Sequence, residues 1–465
     1  MLTNDKSYGV QSEQFGMITT EFTKNDFGKD FVWGVASAAF QNEGAWNLDG
    51  KGESIWDRFS HKKGKIKSGQ NADIACDFYN RYEEDIEILK SLNFNVFRFS
   101  FSWSRILPDG TGKINREGLN FYHKVIDKCL EEGIQPWVTL YHWDLPQALE
   151  DKGGWTNRDI LLWFSEYCNL VTKEFGSKVK HWMVLNEPMG FTGLGYMTGQ
   201  HAPGRLGMWN FLPAVHHAAL CQAQGGRIIR RNVADAVIGT TFSCSSIEPA
   251  TEKPADIKAA KRVDALLNRL FLEPALGRGY PTQELPFLNK MVKKYVKNGD
   301  MERLKFDFDF IGIQNYFRVV VKNALFVPYL FAKEVSPKER NISDLTDMGW
   351  EISPKGMYRI LKQIAAYPEV RKIIVTENGA AFPDKMAEGQ IDDSDRIRFY
   401  QEYLRNVLHA KEEGIKVGGY LAWTLTDNFE WAEGFKPRFG LVHIDFKTQK
   451  RTLKKSGKWF MEFLQ

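Results

Sequence analysis

Short apolar segments rich in β-branched and aromatic residues alternate along this chain with longer segments in which apolar residues recur every three or four positions. The first pattern predicts buried strands and the second predicts amphipathic helices. Eight strands are predicted, at residues 31–37, 95–101, 135–143, 181–187, 236–243, 310–317, 372–377 and 417–424. Strands that alternate with helices pair in parallel, and eight such units close into a barrel. The sequence therefore predicts an α/β fold with a single (β/α)8 TIM barrel.

Two of the intervening segments show how the predicted helices end. The apolar residues of 119–130 follow a helical period, and Gly133 is expected to end that helix. Asn157 is predicted to cap the next helix, 161–175, which Gly176 would end. Both segments have the length that a helix between two barrel strands requires.

The chain of 465 residues is longer than a minimal barrel of about 250 residues. We expect a polar N-terminal tail at 1–25 and one catalytic barrel domain at 26–465. The additional length is expected in long loops at the C-terminal face of the strands, at 44–75, 188–213, 245–300 and 322–353. A doubly wound sheet is the competing fold, but no G-x-G-x-x-G follows the first strand and no Walker P-loop is present.

Charge and cysteine content exclude several classes of protein. Sixty-two Lys and Arg residues against 58 Asp and Glu residues give a net charge of +4, too small at this length to indicate a nucleic-acid or membrane partner. The five cysteines are scattered and form no C-x-x-C pair, so we expect neither a metal site nor a disulfide framework. The N-terminus shows no apolar signal region, and a cytoplasmic location is predicted.

Polar residues interrupt the apolar pattern where predicted strands end. Glu187 ends the fourth strand and Glu377 the seventh, while His142 lies near the end of the third and Glu430 follows the eighth. The carboxyl ends of barrel strands meet at one face, which carries the active site in barrel enzymes. Two carboxyl groups facing each other there could cleave a glycosidic bond. Either glutamate alone could instead cap a helix or pair with an arginine.

A series of motifs resolves that ambiguity, because the chain resembles the family-1 glycoside hydrolases, which include β-glucosidases and β-galactosidases. FVWGVASAAFQNEGA at 31–45 matches the N-terminal signature of that family. Further blocks follow in the family's order: RFSFSWSRI (98–106), LYHWDLP (140–146), LNEP (185–188), NYF (315–317), VTENG (375–379), LAWTLTDNFEW (421–431) and RFGL (438–441). The resemblance extends from about residue 27 to the C-terminus.

The resemblance implies a retaining β-glucosidase in which Glu377 is the nucleophile and Glu187 the general acid and base. It implies Arg98, Asn315 and Tyr316 as supporting residues around the nucleophile. By the same resemblance, the substrate is bound by Gln41, His142, Trp143, Asn186, Trp350, Trp423, Glu430, Trp431 and Phe439. Asn186 would bind the 2-hydroxyl of the sugar, His142 the 3-hydroxyl, and Glu430 the 4- and 6-hydroxyls. Trp423 would form the floor under the sugar and Trp350 a wall of the aglycone site.

The resemblance implies a small-molecule or oligosaccharide β-glycoside as substrate and no metal or organic cofactor. A β-galactosidase or β-fucosidase, a 6-phospho-β-glucosidase and a non-catalytic sugar-binding protein on the same scaffold remain alternatives. Two carboxyl groups about 5 Å apart repel by roughly 3 kcal/mol at an effective dielectric near 20, or about two pKa units. We therefore expect the pKa of Glu187 to be raised to roughly 6 to 7, since Arg98 and Tyr316 favour ionisation of Glu377.

Overall fold

The structure, a computed structural model that describes residues 22–465, contains a closed barrel of eight parallel strands. In chain order these are β1 (Val32–Ala36), β2 (Val96–Ser100), β3 (Gln135–Tyr141), β4 (His181–Asn186), β5 (Val237–Ser243), β6 (Phe310–Gln314), β7 (Ile373–Asn378) and β8 (Val417–Trp423). Successive strands are neighbours, and β1 closes the barrel by pairing in parallel with β8, where Val32 lies opposite Gly419. All eight predicted strands are present, and the (β/α)8 prediction is confirmed.

The interior of the barrel is packed with side chains rather than open. Every strand contributes to a cluster of apolar residues separate from the main core, including Val32, Val96, Trp137, Met183, Val237, Phe310, Ile374 and Leu421. Layers of bulky side chains are the usual filling of such a barrel. The polar strand ends therefore face a pocket that is closed below by this apolar plug.

Helices surround the barrel, and the larger apolar core lies between them and the strands. The helices of eight or more residues are Phe78–Ser91, Arg116–Glu131, Ile160–Phe175, Pro188–Tyr196, Met208–Asn232, Pro254–Asp264, Leu288–Tyr295, Pro354–Ala365, Ser394–Glu412 and Lys455–Phe463. Gly133, with φ +71°, follows the end of Arg116–Glu131 in the left-handed conformation that glycine adopts readily. Among the described residues, no helix is both long and apolar enough to cross a membrane.

The predicted helix cap at Asn157 is wrong. The helix begins at Ile160 with Asp159 as its N-cap, and it ends at Phe175 with Gly176 as its C-cap. Asn157 Oδ1 instead accepts a hydrogen bond of 2.9 Å from the backbone N–H of Asp159, two residues later. Asparagine side chains readily form such local turns, which compete with capping. The prediction therefore found the correct helix but placed its N-cap two residues too early.

The segment 245–300, expected as a loop, contains regular structure. The helix Pro254–Asp264 packs through Ala259, Ala260 and Val263 onto a small sheet beside the barrel. The strands of this sheet are Ile247–Pro249, Val319–Asn323 and Ala332–Glu334. The spacing of those three apolar residues is helical, which explains why the insertion folds.

The N-terminal tail predicted at 1–25 lies mostly outside the described residues. From Phe22 onward the chain packs on the barrel: the Phe22 ring lies 5.9 Å from the ring of Phe463 in the C-terminal helix. Residues Lys24–Phe27 form a short 3-10 helix that leads into β1.

Candidate active site

Irregular strand pairing turns two of the candidate side chains, those of Asn186 and Glu377, toward the pocket. Ile374 belongs to the barrel interior, so strict alternation along β7 would turn Glu377 outward, toward the helices. The register of β7 against β6 shifts between Val375 and Glu377, and that of β4 against β5 shifts between Met183 and Asn186. An irregularity of this kind turns the following side chain to the other face. Both strand ends can thereby present their polar residues to the pocket.

The Glu377 carboxyl is buried and surrounded by donors. Its Oε1 accepts hydrogen bonds from Arg98 Nη1 (2.5 Å) and Gln314 Nε2 (2.8 Å), and its Oε2 accepts one from the Tyr316 hydroxyl (2.7 Å). The Arg98 side chain is fully buried. Burial raises the pKa of Glu377 above its ordinary value, and Arg98 and Tyr316 offset only part of that rise. The ionised form of Glu377 thus accepts hydrogen bonds from three donors, one of which, Arg98, is a cation.

A hydrogen-bond chain fixes the protonation of His142. Asn186 Oδ1 accepts from Arg98 Nη2 (2.5 Å), Gln314 Nε2 (2.7 Å) and Thr241 Oγ1 (3.0 Å), so the Asn186 amide nitrogen must face His142 Nε2, 2.9 Å away. An amide nitrogen only donates, so Nε2 accepts and the ring proton lies on Nδ1. Burial and Arg98 lower the pKa of His142, which keeps the ring neutral. Among the described residues Nδ1 has no partner and can donate to a ligand.

Glu187 lies in a different environment from Glu377. It follows β4 directly, in the left-handed conformation (φ 42°), as the N-cap residue of the helix Pro188–Tyr196. The residue is partly exposed. Burial of the carboxyl in the pocket and the charge of Glu377 raise the pKa of Glu187 to about 8. The direction matches the expectation, and the shift is larger because burial adds to the repulsion.

Gln41 and Glu430 form a second polar group in the pocket. Gln41 Nε2 donates to the Phe429 carbonyl (3.0 Å) and to Glu430 Oε2 (3.3 Å), while Gln41 Oε1 has no partner among the described residues. Burial and the charge of Glu377 raise the pKa of Glu430 to about 8. At neutral pH Glu430 is therefore largely protonated and can donate to a ligand hydroxyl as well as accept from one.

Stacked aromatic rings line one side of the pocket. The Trp431 ring lies 4.6 Å from that of Trp143 and 5.9 Å from that of His142, and the Trp423 ring lies 6.2 Å from that of His142. Trp143 and Trp431 have φ values of 80° and 46°. Residues other than glycine cost about 1–3 kcal/mol in this region, and such strain concentrates at functional sites. Trp143 is also held by a 2.9 Å hydrogen bond from Nε1 to the Asn186 carbonyl.

A second aromatic group lies on the Glu377 side. The Trp350 ring is 5.6 Å from that of Tyr316 and 6.2 Å from that of Phe439. Phe439 is buried, whereas Trp350 is partly exposed. Trp350 therefore presents apolar surface next to the tyrosine that contacts the carboxyl of Glu377.

Asn315 is the one expected supporting residue whose side chain does not contact the carboxyl. Its Nδ2 donates to the Cys244 carbonyl (2.8 Å), so it ties the end of β6 to the end of β5. Its neighbour Gln314, which contacts both Glu377 and Asn186, was not among the predicted site residues. Thr139, which accepts from Arg98 Nε (3.1 Å), was not among them either. Both residues could have been found from the sequence, because a glutamine and a threonine interrupt otherwise apolar strands.

Comparison with known proteins agrees with this arrangement. The family described as "Glycosyl hydrolase family 1" matches residues 23–465. The chain is 43% identical over 441 residues to the 1,4-beta-D-glucan glucohydrolase of Thermotoga neapolitana, covering 94% of this chain and 98% of that protein. It is 44% identical over 436 residues to Beta-glucosidase A of Thermotoga maritima, covering 93% and 96% of the two chains.

Solved structures give the same result. The family 1 β-glucosidase from Thermotoga maritima superposes with a TM-score of 0.90 at 42% identity, covering 94% of this chain and 97% of that chain. The β-glucosidase from the same organism in complex with glucoimidazole superposes with a TM-score of 0.88 at 43% identity, covering 93% and 97%. Sequence and fold agree with these relatives over nearly the whole length. This chain belongs to glycosyl hydrolase family 1.

Proposed function

We propose that this chain is a β-glucosidase that releases terminal, non-reducing β-D-glucosyl residues with retention of configuration, through residues 26–465 as its catalytic domain. The observation that carries the proposal is the pair of glutamates after β4 and within β7, whose surroundings differ in charge and hydrogen bonding. Retaining glycosidases use one carboxylate as nucleophile and a second carboxyl group first as acid and then as base.

In the first step, Glu377 attacks the anomeric carbon. Its contacts with Arg98 and Tyr316 favour the carboxylate form that this attack requires. Glu187, with a pKa near 8, is protonated at neutral pH and gives its proton to the glycosidic oxygen. The bond to the aglycone breaks, the aglycone leaves as a neutral alcohol, and the glucosyl group is joined to Glu377 as an ester.

In the second step, Glu187 acts as the base. Esterification removes the negative charge of Glu377, which is one cause of the raised pKa of Glu187. The pKa of Glu187 therefore falls, and its carboxylate takes a proton from water as the water attacks the anomeric carbon. The ester bond breaks, Glu377 regains its charge, and the sugar leaves with its original β configuration.

The free polar atoms of the pocket support recognition of a sugar. His142 Nδ1 offers a donor, and Gln41 Oε1 offers an acceptor beside the Glu430 carboxyl. By the family resemblance these groups bind the 3-hydroxyl and the 4- and 6-hydroxyls, and Asn186 binds the 2-hydroxyl. A site built to bond each hydroxyl discriminates against sugars that leave its buried groups unpaired.

A glucoside is favoured as substrate by the relatives. The similar proteins are named β-glucosidase or 1,4-beta-D-glucan glucohydrolase, and one solved relative holds glucoimidazole. A 6-phosphoglucoside would bring a dianion next to the buried Glu430 carboxyl, which costs desolvation energy without a compensating charge from that group. Galactosides and fucosides differ from glucosides at the positions assigned to Gln41 and Glu430, and they remain the nearest alternatives.

A panel of aryl β-glycosides tests the glycone. We expect kcat/KM to be highest for the glucoside when glucoside, galactoside, fucoside, mannoside and 6-phosphoglucoside are compared. A higher kcat/KM for the 6-phosphoglucoside than for the glucoside would contradict the assignment of Glu430 to the 4- and 6-hydroxyls.

The stereochemical course tests the mechanism separately. Proton NMR of a fresh reaction should show the β anomer of the sugar before mutarotation produces the α anomer. If the α anomer forms first, the enzyme inverts configuration, and Glu377 is not a nucleophile.

A further inference from the structure

A cluster of charged side chains lies next to the loop that carries Glu430, outside the site described above. Its members are Asp384, Asp393, Arg396, Asp427, Arg438 and Lys454, whose side chains are between 0% and 23% exposed. Three positive and three negative charges balance. The proposed reaction uses none of these six residues.

Lys454 connects the C-terminal segment to this loop. Its side chain is inaccessible to solvent, and its Nζ lies 2.5 Å from Asp384 Oδ2 and 2.7 Å from Asp427 Oδ1. Its backbone N–H donates to the Leu441 carbonyl (3.0 Å), just before the last helix begins at Lys455. The position of the ammonium group is thus fixed from both ends of the residue.

Asp427 receives hydrogen bonds on both carboxylate oxygens. Oδ1 accepts from Lys454 Nζ (2.7 Å) and from the backbone N–H of Gly440 (2.9 Å), and Oδ2 accepts from Arg438 Nη1 (3.1 Å). Its own N–H donates to the Val442 carbonyl (2.9 Å). Although burial opposes its ionisation, Lys454 and Arg438 hold the pKa of Asp427 below its usual range. Asp427 is therefore a charged anchor for its loop.

Two residues separate this anchor from Glu430. Next along the chain, Asn428 Oδ1 and the Phe429 carbonyl both accept from Gln41 Nε2, at 3.3 and 3.0 Å, and Glu430 Oε2 accepts from the same nitrogen at 3.3 Å. Segment 427–430 is therefore held at Asp427 by the cluster of charged side chains and at Glu430 by the side-chain amide of Gln41. A shift of Asp427 would be passed on to the Glu430 carboxyl.

The same region offers the outline of a metal site, which Lys454 already fills. Ligand atoms of Asp384, Asp427 and His443 lie within 4.8 Å of one another. The Lys454 ammonium contacts two of these three groups, at the place where a cation would neutralise them. A lysine in this position supplies the positive charge that the buried carboxylates require.

We propose that Lys454 is a positioning residue for glycone recognition: it orients Asp427 and, through segment 427–430, holds the Glu430 carboxyl against the 4- and 6-hydroxyl side of the sugar. The inference rests on the proposed function, which assigns those hydroxyls to Glu430. Loss of Lys454 leaves the cluster with one negative charge in excess and removes the cation that lies between Asp384 and Asp427. A buried carboxylate without its partner moves toward water or takes up a proton, and either change releases the loop.

The test compares an aryl β-glucoside with the matching β-xyloside, which lacks the hydroxymethyl group at C5. The ratio of kcat/KM values, glucoside over xyloside, measures recognition of that group. We expect Glu430→Gln and Lys454→Met each to lower this ratio by about tenfold or more. The double variant should lower it no further than Glu430→Gln alone, because both changes act on one contact. Lys454→Arg, which keeps the charge, should retain most of the ratio.

Two control variants separate positioning from stability. Asp384→Asn removes a charge from the same cluster but leaves Lys454 on Asp427. Arg158→Met breaks the buried pair of Arg158 with Asp300 among the outer helices, where the two contacts are 2.6 and 2.8 Å. Both should lower the melting temperature and leave the substrate ratio unchanged. If Lys454→Met does not fold, Arg438→Met, which frees the other Asp427 oxygen, should lower the same ratio.

The outcomes distinguish failure of the positioning role of Lys454 from failure of the proposed function. A Lys454→Met enzyme with the wild-type ratio, or equal shifts in Lys454→Met and Asp384→Asn, would overturn the positioning role. If Glu430→Gln itself leaves the ratio unchanged, the assignment of Glu430 within the proposed function is wrong instead.

Discussion

The two glutamates of the pocket belong to the same residue type, yet the barrel places them in opposite surroundings. Glu377 lies in the strand β7 itself, buried, with Arg98 and Tyr316 on its two oxygens. Glu187 lies one residue beyond β4, partly exposed, at the start of a helix. Burial raises the pKa of both carboxyl groups; at Glu377 a cation and hydrogen-bond donors oppose that rise, whereas at Glu187 the neighbouring charge of Glu377 adds to it.

The comparison also indicates which of the two carboxyl groups keeps its proton to higher pH. Two interacting carboxyl groups lose their protons in two steps that belong to the pair. The direct contact of Arg98 with Glu377 favours the state in which Glu377 is ionised and the remaining proton lies on Glu187.

Replacement of Glu377, the proposed nucleophile, is expected to have the largest effect. Glu377→Ala should lower kcat/KM by about 10⁴-fold or more, because no carboxylate remains to form the glycosyl ester. Azide added to this variant should restore activity with an activated aryl glucoside and give the α-glucosyl azide, since it attacks from the vacated side. Formation of the β-glucosyl azide instead would assign the nucleophile to another residue.

Replacement of Glu187, the proposed acid, is expected to have an effect that depends on the leaving group. Glu187→Gln keeps the shape but cannot donate a proton, so glucosides with poor leaving groups should lose about 10²- to 10⁴-fold in kcat/KM. A dinitrophenyl glucoside, whose leaving group departs unprotonated, should lose far less in the glycosylation step. Equal losses on both substrates in pre-steady-state measurements would show that Glu187 is not the acid.

The fold could be predicted from the sequence because each strand carries a strong local pattern. The run Phe310–Phe317 was predicted as one strand, and the structure ends that strand at Gln314, where the polar residues leave the ladder. Such boundary differences arise because a strand ends where hydrogen bonding to its neighbours ends. That point depends on the neighbouring strands and not on local sequence alone.

The site could be predicted only in part. Strand-end positions and family motifs predict Glu187 and Glu377 as the catalytic pair, but the register shifts that turn side chains into the pocket have no local sequence signature. The contacts of Gln314 with Glu377 and Asn186 join residues 63 and 128 positions apart, and the ring proton of His142 follows from that same network. Contacts between distant segments require the assembled barrel.

Removal of one donor to the nucleophile is expected to have a smaller effect. Tyr316→Phe deletes the hydrogen bond to Glu377 Oε2 but leaves Arg98 on Oε1. A hydrogen bond to a charged group contributes about 1.5–3 kcal/mol, so kcat/KM should fall roughly 10- to 100-fold. Because the lost donor favoured the anion, the acid limb of the pH profile should move to higher pH. Circular dichroism of the variant controls for folding, and an unmoved acid limb would show that Tyr316 does not stabilise the anion.

The pH profile of the wild-type enzyme gives the smallest effect, and its sign separates the two glutamates. The first step needs Glu187 protonated, so kcat/KM should fall as pH rises through a value near 8, by about tenfold for each further pH unit. It also needs Glu377 ionised, so kcat/KM should fall again as pH drops through the lower macroscopic value of the pair.

Glu430 also has a pKa near 8 and could contribute to the alkaline limb. In Glu187→Gln, assayed with the dinitrophenyl glucoside, the limb should flatten if it belongs to the acid, whereas Glu430→Gln should leave it in place. A limb that persists in the first variant and disappears in the second would assign the titration to Glu430, and the proton of the free enzyme would then lie on the glycone side of the pocket rather than on the acid.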